Sequence, residues 1–85
     1  MDNTYIALKK ILNIMVPEKY PMVSDIKVID DSNDNPNYII YLGVSPDELD
    51  RLHRSDIRDY VREVSSYVLK GDEALGIIFY NPELW

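Results

Sequence analysis

Ser45 to Gly71, SPDELDRLHRSDIRDYVREVSSYVLKG, is the longest periodic stretch of the chain, and both its ends carry helix signals. Ser45 stands where an N-cap should, with a hydroxyl able to accept from a free N–H of the first turn. Pro46 occupies the first helical position, where a missing N–H costs nothing. Glu48, three residues after Ser45, completes a capping box, and Asp47 with Glu48 puts negative charge at the positive end of the helix dipole. At the far end, Lys70 falls in the last turn and Gly71 suits the left-handed residue that closes helices.

The apolar positions are Leu49, Leu52, Ile57, Tyr60, Val61, Val64, Tyr67 and Val68. From Ile57 onward they recur at three and four residues, one face of a helix. Between Leu52 and Ile57 the stripe runs through His53, and Ser55 with Asp56 offers a second N-cap. The stretch reads as one helix kinked near Arg54, with two helices broken there as the alternative. The opposite face pairs Asp47 with Arg51 and Asp50 with Arg54 at four-residue spacing, each worth about 0.2–0.5 kcal/mol. Arg51, Arg54, Arg58 and Arg62 form a stripe that could grip phosphate. Acids stand beside every one of them, so the plainer reading is a solvated face laced with ion pairs.

Before this stretch, Asp2, Asn3 or Thr4 can cap a first helix over Thr4 to Met15. Tyr5, Leu8, Ile11, Leu12 and Met15 sit at helical spacing there, and Pro17 is expected to end it. Val23 to Asp30 alternates, Ile26 and Val28 against Asp25 and Lys27, as a half-buried strand does. The polar run Asp30 to Asn37 is a turn, stopped by Pro36. Its acids are hard oxygen ligands, but a calcium loop needs glycine sixth and glutamate twelfth. Counting from Asp30 those positions hold Asn35 and Tyr41, and counting from Asp31 they hold Pro36 and Leu42. Asn37 to Val44 and Ala74 to Tyr80 are strands apolar on both faces, a pattern of two-sided burial. The tail after Asn81-Pro82 ends in Trp85, a side chain expected to pack on the sheet or on a partner.

The order helix, strand, strand, helix, strand predicts a small α+β domain over residues 1–85, a three-stranded mixed sheet packed against two helices. Either the second strand is central and the first an edge, or the first is central in a split βαβ unit. The two-sided apolar second strand favours the former. With both helices on one face, the other would display Ile39, Tyr41, Ile78 and Tyr80. Such a tyrosine-rich apolar patch marks an interface. The competing reading has the helices straddling the sheet, with both faces ordinary core.

A chain of 85 residues buries about 60–65% of its unfolded surface, a small stability margin. A net charge of −6 disfavours direct binding to nucleic acid or an anionic membrane. The absence of cysteine excludes disulfides and Cys-type zinc sites. The N-terminal MDNTYIALKK does not read as a signal peptide, and no apolar run approaches the ~20 residues of a bilayer span. A cytoplasmic, soluble protein is the expectation.

No reaction is encoded in a motif. His53 is the single histidine, near Asp50 and Asp56, and a lone histidine on a helix is more often a packing or surface group. Gly71 and Gly76 are not followed by lysine, so they make no phosphate loop. No cofactor or metal site emerges. The expectation is therefore a non-enzymatic interaction or assembly protein, a homodimer or a partner binder through Ile39, Tyr41, Ile78, Tyr80 and Trp85. The alternatives are an acidic module engaging a basic, nucleic-acid-binding protein, and a small enzyme around His53.

Overall fold

A computed structural model, describing residues 3–30, 37–69 and 75–84, runs helix, strand, strand, helix, helix, strand. Helix α1 (Asn3–Lys19) buries Leu8, Leu12 and Val16, one residue per turn on a single face. It passes through Pro17, where the sequence predicts a stop. Proline removes one ladder bond and clashes with the carbonyl four residues back, a cost that falls mainly on helix interiors. Pro17 lies in the last turn, and the tertiary contacts of that turn hold it. The Tyr20 N–H donates to the Val16 carbonyl at 2.7 Å, the Tyr20 ring meets Tyr60 edge-on at 5.6 Å, and the Lys19 ammonium lies 4.4 Å from the Tyr60 ring centre.

Strands β1 (Asp25–Asp30) and β2 (Tyr38–Gly43) pair antiparallel, with Ile26 opposite Leu42 and Val28 opposite Ile40. Residues 31–36 of the connecting turn lie outside the described residues.

The 45–71 stretch is two helices, α2 (Pro46–Leu49) and α3 (Arg54–Ser65). The Ser45 cap forms as its residues predict, its hydroxyl accepting from the Glu48 N–H. Counting 100° per residue, Leu49 and Leu52 point on the order of 100° around a straight axis from Ile57, Val61 and Val64. A continuous helix would turn His53 and Asp56 inward with one set or the other. The break leaves both exposed while Leu49 and Leu52 still pack on the core. His53 is the N-cap of α3, rather than Ser55 or Asp56. Its side chain makes no capping bond, and its carbonyl accepts from the N–H groups of Asp56 and Ile57. The break also removes the helical spacing that would pair Asp47 with Arg51 and Asp50 with Arg54. Among the described residues the ion pair on this surface is Arg62 with Asp59 at 4.0 Å.

Helix α3 ends at Ser65, before the predicted close. Ser66 caps it, donating its N–H to the Arg62 carbonyl and its hydroxyl to the Glu63 carbonyl. Serine competes with the helix through such local bonds. Tyr67 is left 64% exposed, while Val68 and Leu69 pack on the core. Lys70 and Gly71 lie outside the described residues.

Strand β3 (Leu75–Tyr80) pairs parallel to β2, giving the sheet order β1-β2-β3 with β2 in the centre. The domain is thus α+β with a three-stranded mixed sheet, as the patterns predict. Ile26 and Val28 of β1, and Tyr38, Ile40 and Leu42 of β2, share one buried cluster with Val44, with Leu8, Leu12 and Val16 of α1, and with Ile57, Val61 and Val64 of α3. Both long helices therefore cover the same face of the sheet. The predicted two-sided burial does not occur among the described residues: Ile39 and Tyr41 of β2 are only half-buried, and no residue of β3 is fully buried.

Candidate interaction surface

The face turned away from the helices follows from the registers. One row holds Asp25, Gly43 and Tyr80, the next Lys27, Tyr41 and Ile78, and the last Ile29, Ile39 and Gly76. Pleating puts alternate residues of each strand on this side. Ile29 is 42% and Ile78 43% exposed, and Ile39, Tyr41 and Tyr80 are partly exposed. The sheet thus brings together four of the five residues the sequence singles out. Trp85 lies outside the described residues.

Sequence reading missed how one end of this face is built. The Tyr80 hydroxyl donates to an Asp25 carboxylate oxygen at 2.5 Å, spanning from β3 across β2 to β1. The ring can cross because residue 43 is glycine. A Cβ there would stand 3.1 Å from Tyr80 Cζ and Oη and 3.3 Å from Asp25 Cβ. Tyr41 packs edge-on against Tyr80 at 6.2 Å, and the Lys27 ammonium sits 5.7 Å from the Tyr80 ring centre. Partial burial first, then the hydrogen bond to Asp25 and its negative charge, push the Tyr80 phenol up from 10.0 to about 12. Alternation in DIKVID could have placed Asp25, Lys27 and Ile29 on this side. Pairing Asp25 with Tyr80 required the register.

Beside the outer edge of β1, a groove of about 560 Å³ runs between Asp25–Ile29 and the α1 side chains of Tyr5, Lys9 and Asn13. In the arginine stripe, Arg58 stacks on Phe79 at 5.1 Å, Arg62 faces Asp59, and Arg51 and Arg54 are exposed. His53 is exposed at the α2–α3 break. Among the described residues no three His, Cys, Asp or Glu side chains gather as a metal site, and no helix is long and apolar enough to cross a membrane. Compared with protein families, with curated proteins and with solved structures, the chain matches none.

Proposed function

We propose that this protein is a small non-enzymatic interaction and assembly module that binds protein through the open face of its sheet. The carrying observation is the asymmetry of β2. Its helix-side residues Ile40 and Leu42 are fully buried, while Ile39 and Tyr41, as apolar in character, stay half-exposed beside Ile29 and Ile78. Contiguous apolar patches of this kind mark contact sites, and tyrosine supplies contact area with a polar tip. The face holds one acid and one base, Asp25 and Lys27, in a chain of net charge −6. Local neutrality lets a protein surface approach without the repulsion the rest of the chain would exert. A contact of this kind is insensitive to salt, whereas an acidic module gripping a basic partner would weaken steeply as salt rises.

Hydroxyl-radical labelling tests the reading. The side chains of Tyr41 and Ile78 should label several-fold less in native cell extract than in the dilute purified chain, with Tyr67 as an exposed reference. Equal labelling of Tyr41 and Ile78 in the two states overturns it.

A further inference from the structure

The open face is not the only incomplete surface, and the edge beside it says what completes it. The two edge strands differ in kind. In β1, DIKVID carries three charged residues and buries Ile26 and Val28. In β3, LGIIFY carries none, and not one of its six residues is buried. Charged side chains on an edge deter strand addition, and an uncharged apolar edge without proline invites it. Arg58, stacked on Phe79, covers part of the helix side of β3, and among the described residues no strand lies beyond it.

The hydrogen-bonding direction of that edge is fixed. The Tyr80 carbonyl accepts from the Val44 N–H at 3.0 Å, so Tyr80 turns its backbone toward β2. Direction alternates along a strand, so Leu75, Ile77 and Phe79 turn theirs outward. We infer that a second copy of this chain adds there, β3 antiparallel to β3 about a twofold axis through Ile77. The sheet becomes six-stranded, with a β1 at each end.

Charge and closure select this occupant. The edge is uncharged, so two chains of net charge −6 meet without placing acid against acid along the strand. A twofold contact consumes both β3 edges, and the charged β1 strands that remain discourage further growth. Area sets the strength. Six residues span about 20 Å at 3.3 Å each. With the 20 Å short extent of the molecule, this gives on the order of 400 Å² per partner, about half of what a standard stable interface buries. A contact below the standard size belongs with the weak, reversible ones, so the dimer population depends on chain concentration. It also sets two open faces side by side, raising the apolar platform from roughly 300 to roughly 600 Å². The edge and the face are separate surfaces, so either assignment can fail alone.

The test uses the full chain in a concentration series from about 1 to about 500 μM, the span over which weak protein contacts dissociate. Light scattering should show the mass doubling, and hydrogen exchange at Ile77 and Phe79 should slow several-fold across the series. Ile77→Pro removes an outward N–H that no strand among the described residues uses, and proline is tolerated at such edge positions. It should stay monomeric throughout with an unchanged circular dichroism spectrum, while Tyr41→Asp still doubles in mass. A monomer at the top concentration overturns the inference, as does a dimer lost in Tyr41→Asp and kept in Ile77→Pro. If Ile77→Pro fails to fold, concentration-independent exchange at Ile77 and Phe79 in the wild type overturns it as well.

Discussion

Tyr80 ties the three strands together at one end of the sheet. Its ring crosses β2 over Gly43 and its hydroxyl ends on the Asp25 carboxylate of β1. The phenol pKa of about 12 lies above the unfolded value of 10.0, so the folded state holds this proton more tightly. Its contribution to stability is whole below pH 10 and drains away as pH rises from 10 to 12. Asp25→Ala removes the acceptor and its charge but leaves the partial burial. The titration of the Tyr80 phenol, followed by NMR, should then fall toward 10 without reaching it; an unchanged midpoint would remove Asp25 from the account. Ser65 makes a second residue-scale prediction. Its hydroxyl is buried and has no partner among the described residues. Ser65→Ala relieves a desolvated polar group worth about 1 kcal/mol, which for a chain of this size raises the melting temperature by roughly 4–8 °C. A lower melting temperature would mean that the hydroxyl is satisfied.

The helices show how packing overrides punctuation. Pro17 reads as a stop, yet α1 continues to Lys19 because Tyr20 and Lys19 gather on the Tyr60 ring of α3. Pro17→Ala should restore the bond to the Asn13 carbonyl. The gain, less the lost restriction of the unfolded chain, is about 1 kcal/mol in denaturant unfolding; a net loss would mean that the proline ring itself is packed. The break between α2 and α3 was legible as an alternative, since the apolar stripe changes direction between Leu52 and Ile57. Sequence alone could not weigh exposing His53 and Asp56 against the hydrogen bonds a break gives up. The strands were the most readable elements, because alternation in DIKVID and unbroken apolarity in YIIYLG and LGIIFY leave little choice of type. The Tyr80–Asp25 bond was not readable. It joins residues 55 positions apart, and only the register brings them together.

At the scale of the whole molecule, two helices cannot cover both faces of a three-stranded sheet once both pack on one. The composition of the open face was legible for that reason: placing the helices on one side leaves Ile39, Tyr41, Ile78 and Tyr80 together on the other. Less legible was that no residue of β3 is buried, although the strand reads as core. Leu75, Ile77 and Phe79 are partly buried against the core, and removing the rest of the strand's apolar surface from water would add about 25 cal/mol per Å². The proposed contact with other protein surfaces would remove that remainder from water. The most direct measurement of this account is photo-crosslinking in native cell extract. A benzophenone side chain would be placed singly at Ile39, Tyr41 and Ile78 on the open face, and at Asp59 on the solvent side of α3. The account predicts protein adducts from the three face positions, unchanged as extract salt is raised, and none from Asp59. Adducts from Asp59 alone, or none from any face position, would contradict it.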